Sequence, residues 1–271
     1  STIVPETIAD LTSVRGENGA LSLTLNWTNP TQSNAGTALE AISKYEVYRN
    51  GTLVYTKENP TPGAQETYSD TAVPEAGKYE YAVRVYLADQ YSETVTTTEW
   101  IGEDTPTSVT ELTATADNDV VTLSFIPPTT TVNNGWLNAD GMGYSITRNG
   151  ETIETCYTGE LPYTDRVTEL NSYVYAVTPV TASGLVGEEA SSNSVIAGLG
   201  IEPPYSNDFA TKESFGLFTV VDANDDGHTW AYSTYNNAPE IGFEGEADDW
   251  IMSPKFSLTK DMEYEVTISA N

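Results

Sequence analysis

One heptapeptide pattern occurs twice in the chain. Tyr45-Glu46-Val47-Tyr48-Arg49-Asn50-Gly51 returns as Tyr144-Ser145-Ile146-Thr147-Arg148-Asn149-Gly150, 99 positions later. Three flanking blocks repeat in the same order. Leu23–Pro30 matches Val121–Pro128, Tyr68-Ser69-Asp70 matches Tyr163-Thr164-Asp165, and Tyr79–Val83 matches Tyr173–Val177. Four ordered blocks, with drift only in the loops, mean two copies of one domain.

Each copy is patterned for strands. Leu21, Leu23, Leu25 and Trp27 alternate with Ser22, Thr24 and Asn26, which puts the apolar set on one face of a pleated strand. Tyr79, Tyr81, Val83 and Val85 alternate in the same way. Asn50-Gly51 and Asn149-Gly150 each sit between two strand patterns, and a type I′ hairpin turn needs residues that tolerate positive φ. Helical periodicity of useful length is absent. Short strands every 8–12 residues or so, with turn residues between them, specify antiparallel sandwiches.

These residues carry a resemblance: each copy resembles a fibronectin type III domain. The family's proline at entry, strand-B tryptophan, strand-C tyrosine and corner tyrosine fall on Pro5, Trp27, Tyr45 and Tyr79. The second copy supplies Pro106, Phe125 (in place of Trp), Tyr144 and Tyr173. The resemblance covers residues 1–102 and 103–200 and implies an all-β fold. It implies little about function, since such domains serve as spacers, adhesive modules or enzyme appendages.

Ile201-Glu202-Pro203-Pro204 reads as a stiff linker. Beyond it, residues 201–271 leave the repeat. Asp208-Phe209-Ala210, Asp222–Trp230 and Asp249-Trp250-Ile251-Met252-Ser253-Pro254 resemble the opening blocks of a jelly-roll module. That module occurs in cleaved adhesins of gingipain type and in MAM-like domains, as in surface proteins of anaerobic Bacteroides-like bacteria. The resemblance implies a partial jelly-roll sandwich whose second half is not in these residues. The family's Glu after the Phe is replaced by Ala210.

Forty acidic side chains oppose eleven basic ones, a formal net charge of −29. That charge argues against nucleic acid as partner, because phosphate contacts need Lys and Arg. It argues equally against an anionic membrane surface. No apolar run approaches the roughly 20 residues needed to span a bilayer. A lone cysteine, Cys156, cannot form an intrachain disulfide and is expected to be a small buried hydrophobe. A lone histidine, His228, has no nucleophile elbow, thiol or metal-ligand pair beside it, so no catalytic residues are assigned.

Two constellations remain. Residues 222–227 satisfy Asp-x-Asn-x-Asp-Gly, the first half of a calcium loop: Asp222, Asn224 and Asp226 offer side-chain oxygens and His228 a backbone carbonyl. Position 12 is Ser233 instead of the bidentate Glu, and the flanks are strand-like, which excludes a helical EF-hand. A loop between strands, completed by a distant carboxylate such as Asp208, Asp248 or Asp249, would take calcium as its cofactor. The bland alternative is an acidic hairpin turn. The second constellation is aromatic. Trp136, in the insertion 133–143, together with Trp230, Trp250, Tyr232 and Tyr235, could stack sugar rings while neighbouring Asn side chains bond hydroxyls. For Trp230 and Trp250, core packing is the stronger expectation.

The sequence thus describes a non-catalytic, monomeric adhesion or binding protein, secreted or at a bacterial outer surface. Its expected partner is a host protein or a glycan. The rival expectation is an accessory or spacer region of a larger secreted protease or glycan-degrading enzyme.

Overall fold

The computed structural model describes residues 2–242 and 248–269. Packing divides the chain into two compact units: Ser1–Ser108 with Pro127–Gly143 and Thr178–Glu188, and Val109–Ile126 with Tyr144–Val177 and Glu189–Asn271.

The first unit is a sandwich of antiparallel strands: β1 (Thr12–Arg15), β2 (Leu23–Thr28), β3 (Lys44–Arg49), β4 (Thr52–Glu58), β5 (Gln65–Asp70), β6 (Gly77–Leu87), β7 (Gln90–Tyr91) and β8 (Val95–Ile101). One sheet runs β1-β2-β5; the other runs β4-β3-β6, with β7 and β8 both pairing β6. This is the strand order of a fibronectin type III sandwich. The alternation in β2 buries Leu23, Leu25 and Trp27 against Tyr45, Val47, Tyr81, Val83 and Val85 of the facing sheet. Trp27 meets Tyr45 edge-on, with ring centroids 4.9 Å apart. The β3–β4 turn places Asn50 at φ 46° and Gly51 at φ 77°, as the Asn-Gly pair requires.

The second repeat supplies β9 (Thr110–Asp117), β10 (Val120–Ile126), β11 (Gly143–Arg148), β12 (Glu151–Tyr157), β13 (Tyr163–Arg166), β14 (Asn171–Tyr173), β15 (Tyr175–Val180), β16 (Ala190–Ser191) and β17 (Val195–Ala197). Its sheets run β13-β10-β9 and β12-β11-β15-β16, with β14 paired to β17. Phe125 and Tyr144 reproduce the edge-on pair at 4.9 Å, although Phe125 is only half-buried where Trp27 is 2% exposed. Both corner tyrosines close in the same way: Tyr79 Oη donates to Glu75 O at 3.0 Å and Tyr173 Oη to Glu169 O at 2.7 Å. Cys156 is exposed, contrary to the expected buried position. It lies on β12, which stands at a sheet edge, where an outward side chain meets solvent.

A polar network is duplicated along with the apolar core. Asp70 accepts from Arg49 Nη1 at 2.7 Å and Tyr81 Oη at 2.8 Å; Asp165 accepts from Arg148 Nη1 at 2.9 Å and Tyr175 Oη at 2.8 Å. Buried charge survives only where partners satisfy it, and here the partners recur with the charge.

Within the second unit, the residues after the linker form a single-turn helix α1 (Lys212–Phe215) and strands β18 (Thr219–Asp222), β19 (Ala231–Ser233), β20 (Ala238–Glu240) and β21 (Asp249–Met252). β18 pairs β21 and β19 pairs β20, giving two antiparallel ribbons. Thr211 and Ser214 cap α1 reciprocally.

Candidate functional site

The register of β18 against β21 sets Asp222 opposite Asp249, so the acidic loop starts where the two strands end. The loop then turns its carboxylates onto its own backbone. Asp222 accepts from Asp226 N at 3.2 Å and Gly227 N at 2.9 Å. Asp226 accepts from His228 N at 2.7 Å and Asn224 Nδ2 at 3.1 Å. Asp225 at φ 56° and Gly227 at φ 76° allow the chain to fold back so sharply. Asp249 Oδ1 accepts from Ala223 N at 3.3 Å, while its Oδ2 is buried with no hydrogen-bond partner among the described residues.

Asp222, Asn224, Asp226, His228 and Asp249 therefore gather at one ribbon end. Asp208 belongs to a separate turn, where it accepts from Ala210 N at 3.0 Å. Among the described residues, no three acidic, histidine or cysteine side chains converge as a metal shell. Among the described residues at this ribbon end, Asp249 Oδ2 on β21 and Thr229 Oγ1 in the loop are buried without a hydrogen-bond partner.

The aromatic candidates divide. Tyr232 is held by local packing: its ring stacks on Phe215 at 6.5 Å and its hydroxyl donates to Ala210 O at 2.7 Å. Phe209 joins this group, with ring centroids 4.9 Å from Phe218 and 6.4 Å from Phe215. Trp230 is half-buried. Tyr235, at the β19–β20 turn, is 92% exposed. Trp250 is 59% exposed, contrary to the expected core position. On a two-stranded ribbon it shares a face with Val221 and Met252, and Met252 is exposed too.

Trp136 lies in the first unit, in the segment Pro127–Gly143. Asp104, fully buried, shapes that loop by accepting from Asn133 N (2.8 Å), Asn133 Nδ2 (2.9 Å), Gly135 N (3.0 Å) and Thr105 N (2.8 Å). Burial alone would raise the Asp104 pKa, but the Asn133 and Thr131 side chains and the loop amides outweigh it and hold the carboxyl below its ordinary value. The indole then packs against Gly19 in the β1–β2 turn, so closely that a Cβ there would sit 2.4 Å from Cε3. Arg15 Nη1 donates to Asn134 O, fixing the loop from the other side. The Trp136 ring thereby walls a cleft of ≈ 380 Å³ lined also by Arg15, Asn18, Thr129, Thr130 and Leu137. Its size falls at the small end of ligand-binding clefts.

No protein-family model and no curated protein matches the chain. Among solved structures, the chain is similar to the central fibronectin-III array of RIM-binding protein, at 17% identity over 84% of this chain and 78% of that one, with a TM-score of 0.27. It is also similar to the FN1–FN3 domains of chicken CNTN1, at 13% identity over 74% of this chain and 70% of that one, with a TM-score of 0.33. No helix among the described residues is long and apolar enough to cross a membrane.

Proposed function

We propose that the chain is a non-catalytic adhesion or binding segment, working in monomeric form outside the cell or at a bacterial outer surface, and that its ligand is a glycan. The observation that carries this reading is the Trp136 cleft. One aromatic wall, a leucine, two threonines, an asparagine, an arginine and a glutamate line it, a combination suited to the apolar face and the hydroxyl edge of a pyranose. Exposed Tyr235, beside Asn236 and Asn237, is a second platform of the same chemistry. Recognition of a host protein through these same surfaces, and the role of spacer in a larger secreted enzyme, are the other readings. The three-part division at 102 and 200, with a jelly-roll module last, belongs to this proposal. A glycan array probed with the whole chain tests it. Signals that fall in Trp136→Ala and Tyr235→Ala support the glycan reading; an array without saturable signal removes it and favours the spacer.

Calcium is the ion proposed for the Asp222–His228 loop. The order of oxygen donors and the unpartnered Asp249 Oδ2 support it. Calcium would then raise the unfolding temperature of the C-terminal segment by mass action, and chelation would lower it. Calorimetry showing no calcium-dependent shift would leave the loop as a self-bonded acidic turn.

A further inference from the structure

At one end of the first sandwich, three side chains meet whose functional groups can react. Glu66 on β5, 6% exposed, stands between Lys57 on β4 and Asn29 just past β2. Its Oε1 accepts from Asn29 Nδ2 at 3.0 Å and from Lys57 Nζ at 3.1 Å, and its Oε2 accepts from Lys57 Nζ at 2.8 Å. Asn29 is 1% exposed, and its Nδ2 also donates to Thr61 O at 3.0 Å. Two aromatic residues complete the site. Trp27 Nε1 donates to Asn29 Oδ1 at 3.1 Å, and Tyr45 Oη donates to Glu66 Oε2 at 3.1 Å. The Tyr45 ring lies 5.9 Å from Lys57 Nζ.

We propose that Lys57 and Asn29 form an intramolecular isopeptide bond with Glu66 as the catalytic acid–base. Glu66 takes a proton from Lys57 Nζ, and the freed amine attacks Asn29 Cγ. Trp27 Nε1–H already bonds the carboxamide oxygen, where negative charge builds in the tetrahedral intermediate. Glu66 also bonds Nδ2, so it can pass the proton to the leaving nitrogen. The Nζ–Cγ bond forms and the Cγ–Nδ2 bond breaks. Nδ2 takes up the two protons that Nζ loses and departs as ammonium. No electrons change hands, so no oxidant or cofactor is needed. Lys57 is 43% exposed at its side chain, which leaves a path for ammonium to escape. The bond would tie β4 of one sheet to the end of β2 in the other.

The second repeat serves as an internal control. By the repeated blocks and the strand registers, Asn29, Lys57 and Glu66 correspond to Pro127, Tyr157 and Leu161. The edge-on aromatic pair is kept there, while all three reactive residues are gone. A set lost as a set fits groups that act together. An ion pair needs two of them, and packing needs none.

Intact-mass spectrometry of the purified whole chain tests this directly, independently of any ligand. The expected mass is lower than that of the sequence by one ammonia, and tryptic digestion gives a branched peptide joining residues 29 and 57. Glu66→Gln, Lys57→Met and Asn29→Ala each restore the full mass, and circular dichroism checks that each variant is folded. A wild-type chain that keeps its full mass after prolonged incubation overturns the proposal. A mass loss that persists in folded Lys57→Met overturns it as well, by placing the loss elsewhere.

Discussion

Glu46 shows how a single side chain can tie stability to acidity. It is buried on β3, yet accepts hydrogen bonds from Lys44 Nζ (2.6 Å), Tyr86 Oη (2.6 Å) and Tyr48 Oη. Burial pushes its pKa up, but the three donors outweigh burial and hold the carboxyl down at about 2. A carboxylate held below its unfolded value stabilises the fold above that value, near 4.5, and the benefit disappears as pH falls toward 2. Urea unfolding between pH 5 and pH 2, each about, should show a loss on the order of 2 kcal/mol that Glu46→Gln does not share. Equal pH slopes in the two proteins would contradict the assignment. Residue identity alone did not reveal this group. Lys44, Glu46 and Tyr48 alternate along one strand and are visible in the sequence, but Tyr86 arrives from β6 only after the sheet has formed.

At the scale of elements, the duplicated Arg–Asp–Tyr network predicts unequal costs. Asp70→Ala leaves Arg49 and the Tyr81 hydroxyl without their acceptor in a nearly dry site, whereas Asp165 and Arg148 are more exposed than Asp70 and Arg49. Breaking a buried pair by removing one partner costs about 3–5 kcal/mol. Asp70→Ala should approach that cost and Asp165→Ala should fall below it, both read by chemical denaturation. The reverse order would mean that burial does not set the cost. The strands, both Asn-Gly hairpins and both corner tyrosines were legible because local alternation and turn chemistry decide them. The break between β14 and β15 was not. Nor was the contact by which Asn193, between β16 and β17, accepts from Ala114 N at 2.8 Å and donates to Ala114 O at 2.9 Å, a tertiary contact no local pattern encodes. The reactive trio of Asn29, Lys57 and Glu66 was equally hidden, since its members lie on three separate segments. Its one sequence signal was the simultaneous loss of all three from the second copy.

Across the whole molecule, the sequence named Trp136 as a candidate but could not show what the ring rests on. Asp104 and Gly19 settle that: the first folds the insertion, the second offers a bare backbone for the indole. A net charge of −29 adds a constraint on any partner, since neutral ligands escape the repulsion that anionic ones meet. Binding of a neutral glycan should accordingly vary little with salt. The most direct measurement is a calorimetric titration of the whole chain with the neutral oligosaccharide that gives the strongest array signal, in wild type and Trp136→Ala. Saturable binding is expected in the wild type, with an affinity weakened by about tenfold or more on loss of the indole. Equal affinity in a folded Trp136→Ala chain would contradict it.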